Sequence, residues 1–182
     1  ETVAAMYPGS TPDHVLITNG SAEANFLCTM TLLEPGDELI YMVPNYLQIG
    51  TLASSIGVEV KEIRLRPELN WQMDLDELNS LVTPKTKMIA VCTPNNPTGA
   101  IMSAESMAEV RRMADEHDLY LLSDEVYRGA ELSGVESPTV YSGREKDIVN
   151  SGLSKAYRLP GLRLGWSVTD PDTIWELWKL HD

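Results

Sequence analysis

The sequence predicts an α/β fold, a mainly parallel sheet covered by helices on both faces. Two observations point there. Short apolar runs alternate with longer helical stretches along the whole chain, and crossovers of that length join parallel strands. Polar segments rich in Gly, Pro, Asn and Ser follow four of the apolar runs, and open parallel sheets bind ligands at the carboxyl ends of their strands.

The elements follow in order. His14 to Thr18 (HVLIT) reads as a strand, and Ser21 to Leu33 as the helix after it. Glu38 to Val43 (ELIYMV) is a second strand, with a helix from about Tyr46 to Ile56. Val58 to Leu65 alternates with the period of two that a strand requires. Asp74 and Glu77 form a capping-box pair ahead of a helix ending near Val82. Lys87 to Cys92 (KMIAVC) is the next strand, and Ser103 caps a long helix reaching about Asp118. Leu119 to Ser123, Asp147 to Ser151 and Arg163 to Val168 complete the strands. The hairpin-like step from Ile148 to Val168 allows one antiparallel strand. Asp170 before Pro171 opens a final helix, with Pro at the first helical position. Arg128 to Lys146 has turn residues and no clean period, so it reads as irregular.

With 182 residues, no repeat and no low-complexity linker, the chain is expected to form one domain over residues 1–182. Hydrophobic content of 43% and charged content of 23% are those of a soluble globular protein. The 14 basic and 27 acidic residues give a net charge of -13, which argues against nucleic-acid and membrane-surface partners. An anionic ligand must therefore be held by local positive features. Cys28 and Cys92 form no CxxC pattern and read as buried, reduced thiols of a cytoplasmic protein. His14, His117 and His181 lack metal-ligand spacing, so no metal is expected. No apolar run reaches the roughly 18 residues that span a bilayer, and no secretory signal is visible. The opening ETVAAMYPG reads like the tail of a helix, and PDTIWELWKLHD stops inside an amphipathic pattern. Both ends suggest a fragment of a longer chain.

Four segments carry candidate chemistry. Asn19-Gly20-Ser21-Ala22-Glu23-Ala24 opens a helix with a glycine turn, exposing backbone N–H groups that favour a phosphate; a plain Ser N-cap explains it as well. Thr93-Pro94-Asn95-Asn96-Pro97-Thr98-Gly99 makes a rigid loop at a strand exit and offers amide donors. In Ser123-Asp124-Glu125-Val126-Tyr127, Asp124 ends an apolar run, where a carboxylate is costly unless it meets a cation or donors. Tyr127 can aim a phenol at the same point. Finally, Lys155 lies in a Gly/Ser/Pro-rich segment with Arg163 eight residues on, which is not a helix face but suits a nucleophilic amine.

GSAEA, NNPTG, SDEVY and SGLSK-AY-R-LPGLRLGW, in this order and spacing, resemble the fold-type I pyridoxal-phosphate (PLP)-dependent aminotransferases, class I/II. The resemblance covers essentially the whole chain. It implies the three-layer sandwich with a mostly parallel, mixed sheet that is the large domain of PLP-dependent transferases. It makes Lys155 the Schiff-base lysine and proton shuttle, and Asp124 the partner of the pyridinium nitrogen. It makes Tyr127 and Asn96 donors to the ring 3-oxygen, and Tyr46 the aromatic stacked on the ring, for which a structural tyrosine is the competing reading. The turn Ser21-Ala22-Glu23, the Ser154 hydroxyl and Arg163 would hold the phosphate, Arg with two parallel hydrogen bonds.

Two positions depart from the family pattern. Gly152 stands where many relatives have a second phosphate-binding Ser, and Arg158 where a small residue is usual. Arg158 reaches toward phosphate, substrate or solvent. The family's carboxylate-binding arginine belongs to a C-terminal small domain, which is expected, together with an N-terminal segment, to lie outside these 182 residues. The resemblance implies transfer of an amino group between an amino acid and a 2-oxo acid by a cytoplasmic homodimer. A carbon–sulfur β-lyase and a non-catalytic PLP-binding regulatory domain use the same constellation.

Overall fold

The computed structural model describes residues 1–181. Eight strands and five helices form in chain order: β1 (Val15–Thr18), α1 (Ser21–Leu32), β2 (Glu38–Val43), α2 (Gln48–Ser55), β3 (Glu59–Arg66), β4 (Gln72–Met73), α3 (Leu75–Leu81), β5 (Thr86–Cys92), α4 (Ala104–Glu116), β6 (Tyr120–Asp124), β7 (Asp147–Gly152), β8 (Gly165–Val168) and α5 (Pro171–His181). They make one sheet in the order β1-β8-β7-β6-β5-β2-β3-β4. The five strands from β7 to β3 are mutually parallel. Strand β8 runs antiparallel to both β7 and β1, so β1 points the same way as the parallel strands. The expected mixed, mostly parallel sheet is therefore present, with β8 reversed after the Ile148–Val168 step and the short edge strand β4 antiparallel to β3.

Period-two alternation divides the strand residues between two helical layers. Ile40, Met42, Ile89, Val91 and Leu121 pack with Leu78 of α3 and with Met107, Val110 and Met113 of α4. Their neighbours Leu39, Tyr41, Met88, Ala90 and Leu122 pack on the opposite face with Leu27 of α1, Ile49 and Ala53 of α2 and Leu177 of α5. This is the three-layer sandwich. The opening residues form a 3-10 turn at Ala4–Met6, and Tyr7 behind it joins Trp166 of β8, whose Nε1 donates to the Tyr7 hydroxyl at 3.1 Å. Among the described residues, no helix is long and apolar enough to cross a membrane.

Local chemistry accounts for the element ends. Asp74 Oδ1 accepts from the N–H groups of Asp76 and Glu77, Ser103 Oγ from Ser106, and Asp170 Oδ1 from Asp172 and Thr173. These are side-chain N-caps. Glu77, expected to close a capping box, instead takes the Arg66 guanidinium. Strand β8 starts two residues later than the apolar pattern suggests, because Arg163 adopts a left-handed conformation (φ 48°) after a 3-10 turn at Pro160–Leu162. The two-residue β4 has too little sequence to show a period.

The irregular segment at 128–146 is tied down by polar groups. Arg111 donates to the carbonyls of Thr139 and Val140. Glu125, fully buried, accepts at Oε1 from the Val140 N–H at 2.7 Å and the Thr139 hydroxyl at 3.1 Å. Burial pushes the Glu125 carboxyl up from its ordinary 4.5 to about 7, against those hydrogen bonds and the Arg128 charge. A raised carboxyl favours the folded state below about pH 4.5, and that contribution disappears as pH rises to about 7. It amounts to at most about 3 kcal/mol. Replacing Glu125→Gln should flatten the fall in stability across that pH interval. Urea titrations from pH 4.5 to 8 measure it; an unchanged slope would show that Glu125 is not the titrating group.

Candidate active site

Because β1, β2, β5, β6 and β7 point the same way, the segments that leave them gather at one edge of the sheet. They enclose a cavity of about 270 Å³. Ser21, Ala22, Tyr46, Asn96, Asp124, Tyr127, Ser154, Lys155 and Arg163 all line it. Residues up to 142 positions apart in sequence thus share one cavity.

One end of the cavity suits an anion. Gly20 takes φ 86° as the N-cap of α1, a conformation open to glycine, and leaves the first N–H groups of the helix, at Ser21 and Ala22, facing out. The Arg163 guanidinium lies over this turn: a Cβ on Gly20 would sit 2.5 Å from Arg163 Nη2. Arg163 Nη1 donates to the Pro160 carbonyl at 3.0 Å and to Ser154 Oγ at 3.3 Å, which places that hydroxyl at the same end. The strand–helix approach is equally close. A Cβ on Gly165 would lie 2.4 Å from Ser21 N, and one on Gly152 would lie 2.9 Å from the Leu164 carbonyl oxygen. Glycine at 152, where the family pattern often has Ser, is therefore matched to tight packing of β7 on β8. Glu23 is not among the residues that line the cavity; its carboxylate accepts from the Asn19 N–H, with His181 Nδ1 3.7 Å off.

The other end presents a buried carboxylate. Asp124 is 8% exposed. Its Oδ2 accepts from Asn25 Nδ2 at 2.9 Å and its Oδ1 from the Val126 N–H at 3.2 Å. Burial raises its carboxyl above the ordinary value, while the Asn25 and Val126 hydrogen bonds and the Lys155 charge pull it back. Asn25 also lines the cavity. A polar residue inside the apolar run around Phe26-Leu27 is the signal that could have marked it from sequence.

Lys155 is exposed in the loop after β7, with Nζ 6.0 Å from the centroid of the Tyr127 ring. The paired asparagines divide their work. Asn95 is buried and holds the loop, its Nδ2 donating to the Pro44 carbonyl and its Oδ1 accepting from Thr98. Asn96 borders the cavity. Tyr46 is 57% exposed and is not a core tyrosine; its carbonyl is gripped by the Tyr41 hydroxyl. Arg158 is exposed, with a left-handed φ of 57°. Gln48 borders the cavity too, its Nε2 donating to the Ala22 carbonyl while its buried Oε1 has no partner among the described residues. Cys28 and Cys92 are buried and unpaired; burial pushes the Cys28 thiol up to about 11 against hydrogen bonds with Asn150 and Ser167. The arrangement can bind a ligand with an anionic group at one end and a cationic nitrogen at the other, and it sets a lysine amine beside it.

The family model for aminotransferase class I and II matches residues 4–181. Among relatives, the aspartate/prephenate aminotransferase of Thermus thermophilus is 32% identical over 181 residues, covering 90% of this chain and 47% of the relative. The capreomycidine synthase of Streptomyces vinaceus is 35% identical over 182 residues, covering 98% and 46%. The crystal structure of a PLP-dependent aminotransferase from Streptococcus suis superposes with a TM-score of 0.92 at 38% identity, over 98% of this chain and 47% of that one. The chain thus spans about half the length of the relatives it matches.

The glycine contacts predict an order of stabilities. Gly165→Ala forces a methyl group into the α1 backbone and should cost about 1–3 kcal/mol. Gly152→Ser, which meets a carbonyl at the longer distance, should cost less. Urea unfolding midpoints test the order, and a Gly165→Ala protein as stable as the parent would contradict the close approach.

Proposed function

The chain belongs to the class I and II aminotransferases, and on that premise we propose that the protein is a PLP-dependent aminotransferase moving an amino group between an amino acid and a 2-oxo acid. The observation that carries this reading is the joint lining of one cavity by an anion cup, a buried carboxylate and a lysine amine.

The residues fit the cofactor. A phosphate needs donors and positive charge in a protein of net charge -13, and the free end of α1 beneath Arg163 supplies both. Ser21 and Ala22 N–H, the Ser154 hydroxyl and Arg163 would hold that phosphate. Asp124 would meet the ring nitrogen, Asn96 and Tyr127 would donate to the ring oxygen, and Tyr46 would lie against the ring. Lys155 would be the amine that holds the aldehyde carbon. When bound, PLP supplies an electron sink for the pair released at the substrate α-carbon.

The chain's own groups do the rest. Lys155 Nζ takes the α-proton and returns it, the role of a general base and then a general acid on a flexible side chain. Asp124, in a site that penalises bare charge, is best satisfied by a cation and so favours a protonated nitrogen opposite it. Arg163 fixes the anionic end and thereby the distance from Lys155. The substrates would be an amino acid and a 2-oxo acid, with the full-length protein a homodimer in the cytoplasm. Two unpaired buried thiols and a cavity that leaves Lys155 and Arg163 exposed support that view.

The test uses the full-length protein. Borohydride in the presence of PLP should label Lys155, and Lys155→Ala should lower turnover by about 10²–10⁴-fold. Keto acid released only with an amino acceptor is the expected product pattern. Ammonia and pyruvate without an acceptor would identify a β-lyase instead, and absence of label on Lys155 would overturn the reading.

A further inference from the structure

Behind Asp124 lies a line of buried polar side chains that the cavity itself does not require. Asn25 of α1 is 2% exposed, and Asn150 of β7 and Ser167 of β8 are 0% exposed. Ser167 Oγ donates to Asn150 Oδ1 at 2.5 Å, Asn150 Nδ2 donates to Asn25 Oδ1 at 2.9 Å, and Asn25 Nδ2 donates to Asp124 Oδ2 at 2.9 Å. Cys28 flanks the line, 3.5 Å from Asn150 Nδ2. Every donor points the same way, toward the carboxylate.

The direction follows from the end group. A carboxylate only accepts. Turning the Asn25 amide over would set its oxygen against Asp124 Oδ2 and its NH₂ against that of Asn150, so Asn25 has one tolerable orientation while Asp124 is ionised. Asn150 then has one as well, and the Ser167 hydroxyl completes it. In buried surroundings, hydrogen bonds aligned head to tail polarise one another, and the last of them, to a charge, is the strongest. A chain that merely pinned α1 to the sheet has no need of a carboxylate at its end.

We propose that Asn25 is a positioning residue: braced by Asn150 and Ser167, it holds Asp124 ionised and turned toward the cavity, ready for a cationic ring nitrogen. The proposal rests on the cofactor reading above. It assigns the relay to one end of the ligand alone, since the anion cup at Gly20, Ser21 and Arg163 shares none of its hydrogen bonds.

That asymmetry makes it testable with two ligands, PLP and its analogue carrying CH in place of the ring nitrogen. Affinities for full-length apoprotein are measured by equilibrium dialysis. Asn25→Leu should weaken PLP about tenfold or more, as expected when a buried charge loses a donor, and leave the analogue unchanged. Ser167→Ala, which removes a donor two steps away with little change in volume, should weaken PLP about two- to fivefold and also spare the analogue. It decides the matter should Asn25→Leu not fold. Equal losses for both ligands would mean that the line only anchors α1, and no loss for either would mean that Asp124 does not need it; both outcomes overturn the proposal. Wild-type protein that binds neither ligand would sink the cofactor reading itself, before any variant is made.

Discussion

A carboxylate at the buried end of β6 is the constraint around which this molecule is organised. Asp124 ends a strand in the middle of the sheet, where burial strips away most of the water that would stabilise charge and an unpartnered carboxylate is costly. Two donors soften that cost, one from α1 and one from the chain just beyond the strand. Neither neutralises the charge. The group is left with a strong preference for a cation in the cavity, so the feature that burdens the fold is also the one that selects a ligand.

The anionic end depends on a different physical device, the removal of side chains. Gly20, Gly152 and Gly165 lie where β7, β8 and the start of α1 come within contact distance, and a methyl group at any of them would meet backbone or guanidinium atoms. That approach leaves the first N–H groups of α1 free under Arg163. It lets a protein of net charge -13 keep a local site for an anion without basic residues spread over its surface. The two ends of the cavity thus use opposite strategies, a buried charge at one and an open helix end at the other.

Much of the fold was legible. The expected strands and helices occur, and most of their bounds agree within two residues, because strand and helix periods in the apolar residues report which faces are covered. Two finer readings differ from the structure. Arg163 reads as the first residue of a strand, yet it takes a left-handed turn that swings its guanidinium over Gly20. Glu77 reads as half of a capping box, yet Arg66 on β3 is a better partner than a backbone N–H. In both cases a tertiary contact outweighed a local preference.

The sequence by itself determined the order of elements, the two-sided burial of the strands and the four segments whose residue types suit an anion, a cation and an amine. Those are properties of local pattern, which a linear string records. Tertiary structure alone decided that Asn25, Asn150 and Ser167 line up behind Asp124, that Asn95 braces its loop while Asn96 borders the cavity, and that Glu23 is engaged by the Asn19 N–H. A hydrogen bond depends on distance and direction between groups, as far as 125 residues apart for Asn25 and Asn150, and no periodicity along the chain encodes either.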